Sequence, residues 1–364
     1  MSRSSCQRIA RLRTYQSLFP LVAKALDEAN LSAEIIIVDD NSPDETPDVC
    51  ERLAQDYPLR LIVRRSERGL SSAVIHGMKQ ARGEVLVVLD ADLSHPPEKV
   101  PELAAAIAGD SADFVIGSRY VPGGKTDGDW GLFRWLNSKV ATLLALPLTS
   151  ARDPMAGFFA LRRSTFEGAQ SLDPIGYKIG LELIVKTGCR RIAEIPIRFR
   201  DRLYGESKLS LKEQINYLRH LRRLYVFKLG WLAKPLQFVL IGSTGMVVDL
   251  ASYALLLSIA SVSVARAVAI GVAMTWNFLL NRRLTFSESR GNLLIKQYVL
   301  FCAACSVGAG VNWALSVGLC EWFEFFTNAK LFAAFLGVIA GTGFNYVLSS
   351  RVVFRTHKAS AGTD

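Results

Sequence analysis

The chain has 364 residues, enough for two domains, and half of them are hydrophobic. Its net charge of +10 is unevenly placed: residues 1–199 carry 25 basic and 25 acidic side chains, whereas 200–234 carry nine and three. A neutral first half excludes a nucleic-acid-binding surface there, and a basic segment abutting an apolar half fits an anionic membrane surface instead.

Residues 1–30 have no apolar core, so no signal peptide is expected. Further on, apolar runs end abruptly in acids. Glu34-Ile-Ile-Ile-Val38 reads as a buried strand followed by Asp39 and Asp40. Helices are expected over 46–56 and 68–82. The run VLVVL at 85–89 leads into Asp90 and Asp92, and a helix over 97–109 follows Pro96 and Pro97. A third strand, Asp113 to Ile116, leads into Gly117-Ser118-Arg119-Tyr120. Strands alternating with helices predict a mainly parallel sheet, and such sheets bind ligands at the carboxyl ends of their strands. Two carboxylates one residue apart can share a hard cation with a diphosphate, and an arginine at the same edge can grip phosphate in a fork.

The motifs VDDNSPD, DADLSHPPE, GSRY, DPMAGFFALR and GESKL stand here in the order, and at about the spacing, of the dolichol-phosphate mannosyltransferases, and residues 34–212 resemble that family. The resemblance implies an α/β GT-A fold, Rossmann-like, of glycosyltransferase family 2, and inverting transfer of a sugar from a nucleotide to a polyprenyl phosphate. It implies nucleotide contacts at Tyr15, Val38, Asp39 and Asp90, and Mg²⁺ or Mn²⁺ at Asp90, Asp92 and Ser94. Ser94 stands where the family often has glutamine. Catalysis falls to Asp90, Asp92 and Arg119, and phosphate or acceptor binding to Arg119, Arg134, Ser138, Arg202 and Lys208. GDP-mannose is the favoured donor. No motif fixes base or sugar, so UDP-glucose stays open, as does a lipid-linked sugar flippase. One departure stands out: the family opens with a central apolar strand ending in a PTYNE-like motif. Here Thr14-Tyr15 is its remnant, and Ser5 to Leu12 make a poor strand.

Residues 209–230 form an amphipathic helix with basic flanks, suited to a bilayer surface. Four apolar stretches follow, at 236–258, 264–281, 298–320 and 331–350, each near the ~20 residues a bilayer requires. Arg282, Arg283, Arg290 and Lys296 follow the second, which predicts the catalytic part and the middle loop on the cytoplasmic face. The apolar half repeats itself: Trp276 to Phe286 parallels Phe344 to Phe354, and Gly245 to Asp249 parallels Gly308 to Asn312. That pattern resembles the GtrA-like family of four-helix transmembrane domains. The expected domains are 1–208 (catalytic), 209–234 (membrane-interface helices), 235–356 (GtrA-like) and a tail over 357–364. The six cysteines suggest no disulfide framework, and the Cys302–Cys305 CxxC lies inside an apolar run with no partner pair, as small residues packing in a membrane helix would.

Overall fold

The computed structural model describes residues 3–127, 132–173, 175–176, 178–200, 211–256, 258–289 and 293–355. The chain divides into two compact units, Met1–Lys228 and Leu229–Asp364.

The first unit is α/β. Its strands are β1 (Ile35–Asp39), β2 (Leu59–Val63), β3 (Val85–Val88), β4 (Phe114–Ser118), β5 (Lys125–Thr126), β6 (Phe159–Arg162), β7 (Ile192–Pro196) and β8 (Arg198–Phe199). Its helices are α1 (Arg3–Glu28), α2 (Thr46–Leu53), α3 (Leu70–Gln80), α4 (Val100–Ala108), α5 (Leu132–Ala145), α6 (Arg163–Glu167), α7 (Ile179–Thr187) and α8 (Leu211–Leu229). All three predicted strands and all four predicted helices of this unit form, displaced by a few residues at their ends.

The sheet is less parallel than expected. β1 pairs parallel with β2, and β4 parallel with β7, but β6 runs antiparallel between β3 and β4. The run Phe159-Ala-Leu-Arg162 thus supplies a strand that joins β3 to β4. Phe114, Phe159 and Leu161 are wholly buried there, as expected of a strand covered on both faces.

The sheet is also broken. Where the family resemblance implies a first strand, residues 3–28 form one helix, and β1–β2 stays a two-stranded ribbon apart from β3–β6–β4–β7. Among the described residues, β1 and β3 each pair on one side alone. The second half of α1 still joins the core: Leu18, Phe19, Val22 and Leu26 pack with Ile37, Val49 and Leu103.

The second unit is helical. It comprises α9 (Ala233–Leu256), α10 (Val262–Leu280), α11 (Leu294–Trp322), the short α12 (Glu324–Asn328) and α13 (Lys330–Leu348). The four apolar stretches are therefore α9, α10, α11 and α13. Among the described residues, two helical stretches are long and apolar enough to cross a membrane, Lys212–Leu256 and Leu294–Trp322. Leu240, Val247, Leu250 and Leu255 of α9 are exposed, a distribution suited to lipid rather than water.

The internal repeat is structural. α9 packs along α10, and α11 along α13. Each hairpin ends in a π-helical turn, Asn281–Thr285 in the first and Ser349–Val353 in the second, at matching places in the repeat. A Cβ at Gly245 would collide with the Asn277 amide, and one at Gly308 with the Asn345 amide, so each small residue admits the same polar neighbour. The rings that close the two repeats, Phe286 and Phe354, stack with centroids 4.6 Å apart.

Cys50, Cys189, Cys302, Cys305 and Cys320 are free.

Candidate active site

The acids after β1 are held by local bonds. Asp39 is buried and accepts from Ser42 twice, from the N–H at 2.8 Å and the hydroxyl at 2.6 Å. Asp40 is gripped by Arg64, itself buried, and takes the Gly69 N–H at 2.7 Å. Gly69 reaches it from φ +135°, a backbone state that side-chain-bearing residues rarely adopt. Val38 faces α3, where a Cβ at Gly77 would come within 3.1 Å of it. Tyr15 is buried in the core and stacks on Phe19 at 5.8 Å.

After β3, the chain turns back on itself. Leu93 has φ +60°, and Asp92 accepts from both the N–H (3.0 Å) and the hydroxyl of Ser94. Ser94 is fully buried, so it holds Asp92 in place. The Asp90 N–H donates to His95 Nδ1 at 3.2 Å. His95 lies between Phe158 and Phe199, with centroids 5.3 and 5.4 Å away. Burial lowers its pKa despite the pull of Asp90 and Asp92, which keeps the ring neutral and its Nδ1 an acceptor.

The DPMAGFF motif meets this turn from the other side. A Cβ at Gly157 would stand 3.2 Å from Asp90 Oδ2, so glycine leaves room at the carboxylate. Asp153 is fully buried and takes Arg119 Nε and Nη2, each at 2.8 Å. The Arg119 cation also lies over the rings of Tyr120 and Phe199, at 5.2 and 5.3 Å. Burial works against the Arg119 charge, but Asp153 outweighs it and the pKa rises. Glu194 of β7 accepts the N–H groups of Arg152 and Asp153, at 2.8 and 3.0 Å, and so steadies the loop.

Ser138 of α5 shares a 2.7 Å hydrogen bond with the Tyr120 hydroxyl, which ties it to the GSRY loop. Arg134 lies in α5, with its side chain outside the described residues, and Arg202 and Lys208 also lie outside them. The structure thus brings together Asp90, Asp92, Arg119 and, through Tyr120, Ser138.

Reading the sequence missed four members. Asp153 and Gly157 sit in a motif recognised only as a pattern, and His95 only as part of a turn. Lys178 precedes α7 and carries no motif at all. Its ammonium reaches the Met155 carbonyl at 3.4 Å. Burial, reinforced by Arg119, lowers its pKa to about 8, with Asp153 and Asp90 opposing. Those neighbours place it beside the acidic turn.

Two carboxylates on a fixed turn, a buried arginine oriented by an aspartate and a desolvated lysine make an anion-handling site at the strand ends. Residues 13–168 match the model of glycosyl transferase family 2, and residues 237–360 that of the GtrA/DPMS transmembrane domain. The first unit is accordingly a hexosyltransferase, and the chain is a membrane protein. A dolichol-phosphate mannosyltransferase of Pyrococcus furiosus is 38% identical over 347 residues, 94% of this chain and 96% of the relative. One of Mycosarcoma maydis is 48% identical over 214 residues, 58% of this chain and 72% of the relative. The chain belongs to the dolichol-phosphate mannosyltransferase family. Among solved structures, a glucosyl-3-phosphoglycerate synthase from Mycobacterium tuberculosis, in complex with Mn²⁺, UDP-glucose and phosphoglyceric acid, aligns with 59% of this chain and 76% of that one. The identity is 17% and the TM-score 0.43.

Proposed function

We propose that the chain transfers mannose from GDP-mannose to the phosphate of a dolichol or other polyprenyl phosphate, with inversion, on a GT-A catalytic unit. The observation that carries this is the meeting of Asp90 with Gly157 and of Arg119 with Asp153 at one strand edge. The acceptor phosphate is anionic already, so it attacks the anomeric carbon without a protein base. The leaving nucleoside diphosphate gains charge, and the residues that meet that charge set the rate.

Asp90 and Asp92 fit a divalent ion. Among the described residues, no three His, Cys, Asp or Glu side chains cluster as a complete metal cage. Such a pair takes the rest of its oxygens from diphosphate and water, as Mg²⁺ or Mn²⁺ prefers. Held by Asp90 and Asp92, such an ion would offset the charge that develops on the leaving group. Ser94 orients Asp92, and His95 holds the Asp90 backbone. Asp39 and the backbone at Val38 serve the nucleoside, whereas Tyr15 is committed to the core. Arg119, fixed by Asp153, and Lys178 supply positive charge for phosphate oxygens. Ser138, Arg134, Arg202 and Lys208 complete the acceptor side.

We read α9, α10, α11 and α13 as four spans. The arginines after α10 keep the catalytic unit on the cytoplasmic face. The relatives favour neither a glucosyl donor nor a flippase. The test supplies membranes containing the protein with labelled GDP-mannose and labelled UDP-glucose in turn. Lipid-extractable label from GDP-mannose alone supports the proposal, and label from UDP-glucose alone overturns the choice of donor.

A further inference from the structure

The two hairpins of the second unit meet along two seams related by the repeat, α10 against α11 and α13 against α9. The register carries Phe278 and Phe301 of the first seam onto Tyr346 and Phe238 of the second, and the ring centroids stand 5.7 Å apart in both pairs. The first seam is hollow. A groove of about 590 Å³ runs along it, walled by Val268, Gly271, Val272 and Leu279 of α10 and bordered by Thr275, Trp276 and Tyr298. Val268 to Leu279 spans about 16 Å of helix. The polar groups at its border already have partners. The Tyr298 hydroxyl donates to Thr275 Oγ1 and Thr275 to the Gly271 carbonyl, each at 2.8 Å, and Trp276 Nε1 donates to Thr244 Oγ1 at 3.0 Å. A Cβ at Gly271 would meet nothing within 4 Å, so the groove owes part of its width to the missing side chain.

The second seam keeps none of these features. The repeat puts Ile339 in the place of Gly271, Gly343 in that of Thr275 and Phe344 in that of Trp276, while Pro235 replaces Tyr298 and Val307 replaces Thr244. Every hydrogen bond at the border of the first groove loses its donor there, and the glycine that widens it becomes isoleucine. Arg283, exposed one turn beyond Leu279, recurs as the exposed Arg351, so the cation is common to both seams and the hollow belongs to one. Within a bilayer, helices are held together by packing, and an unfilled gap forfeits dispersion contacts along each wall. A seam shaped by three directed hydrogen bonds around such a gap is completed by a hydrocarbon chain lying in it.

We propose that the α10–α11 groove holds the isoprenoid chain of the polyprenyl phosphate acceptor, with the phosphate end of the lipid on the side of Arg283. This inference rests on the transferase reading above, and it names the part of the acceptor that the second unit selects. An isoprenoid chain carries regular methyl branches and is wider than a straight acyl chain, which suits a groove widened by a glycine. The cationic end of the groove complements an anionic head group. With the arginines after α10 on the cytoplasmic face, the chain enters at Leu279 from the leaflet that faces the catalytic unit.

The test uses the full-length protein in phosphatidylcholine nanodiscs, with Gly271→Ile giving the groove the residue of the other seam. KM for undecaprenyl phosphate is expected to rise about 3- to 10-fold through lost packing along the chain. KM for GDP-mannose, and KM for geranyl phosphate, whose chain is too short to fill the groove, are expected to stay unchanged. An unchanged KM for the long acceptor, or an equal rise for both acceptors, overturns the proposal. A second readout needs no transfer. A benzophenone-bearing amino acid replaces Leu279 at the groove or Val347 at the matching place in the repeat, residues 48% and 44% exposed and so equally open to bulk lipid. After irradiation with a trace of labelled undecaprenyl phosphate, the labelled adduct is expected to form several-fold more at 279 than at 347, and to fall when Gly271→Ile is added. Equal labelling at the two positions means that the groove takes whatever lipid surrounds it, and overturns the proposal. If the wild-type protein transfers no sugar, the transferase reading fails by itself, while the cross-linking still decides what the groove holds.

Discussion

Arg119 holds Asp153 with two parallel bonds, Nε to Oδ2 and Nη2 to Oδ1, both 2.8 Å, and its own backbone N–H adds a third at 3.0 Å. The carboxylate is fully buried, and the arginine side chain is 12% exposed. Removing one partner leaves the other charge stranded. Asp153→Ala is expected to destabilise the first unit by about 3–5 kcal/mol, measured by urea unfolding, and to abolish transfer. A loss below 1 kcal/mol would mean that the pair is solvated in solution.

Lys178 gives the reaction a basic limit. Its amine has a folded pKa of about 8, below the usual lysine value, so it is cationic at pH 7 and loses its charge as pH rises through 8. If the cation meets phosphate, kcat/KM falls on the alkaline side with an apparent pKa near 8. Lys178→Arg keeps the charge, and the falling limb should disappear or move well above pH 10. A profile that keeps its limb in Lys178→Arg assigns it to another group.

In the second unit, the repeated contacts of Gly245 with Asn277 and Gly308 with Asn345 leave no room for a methyl group. Gly245→Ala and Gly308→Ala are each expected to cost about 1–3 kcal/mol through overpacking, read as a lower Tm in detergent. Gly271, with nothing within 4 Å of an added Cβ, is the control, and Gly271→Ala should leave Tm within a degree or two.

The broken sheet predicts a gain. β1 and β3 each present an unpaired edge among the described residues, while residues 3–13 continue a helix. Replacing Ser5 to Leu12 with an alternating β-branched run offers those edges a strand. Tm and specific activity should both rise, since a new central strand would add hydrogen bonds on both sides and fix Asp39 relative to Asp90. Unchanged values for both would show that helix α1 supports the two parts of the sheet as well as a strand does.

The legible parts of this molecule were those with a periodic or terminal signal. Apolar runs ending in acids gave β1 and β3 with Asp39, Asp90 and Asp92 at their ends, and the run leading into Gly117-Ser118-Arg119 gave β4. Ser5 to Leu12 read as a poor strand, and the chain forms a helix there instead. The repeat in the apolar half gave both hairpins, because Asn277 and Asn345, and Phe286 and Phe354, recur at one spacing. The antiparallel β6 was missed because Phe159 to Arg162 is only four residues long and carries no turn signal. The π-helical turns were missed because nothing in Asn281–Thr285 or Ser349–Val353 distinguishes a wider turn from a helix end. Lys178 was missed because it is a lone polar residue whose meaning lies in Asp90, Arg119 and Asp153, neighbours that only the fold supplies.

The central claim is that Asp90 and Asp92 present a metal-bound nucleotide sugar to a lipid phosphate. The most direct measurement is transfer of labelled mannose from GDP-mannose to polyprenyl phosphate by the purified protein in nanodiscs, after EDTA treatment and with Mn²⁺ or Mg²⁺ returned. The account predicts lipid-extractable label that vanishes with EDTA, returns with the metal and is absent in Asp92→Ala at any metal concentration. Full transfer by Asp92→Ala, or transfer indifferent to EDTA, would contradict it.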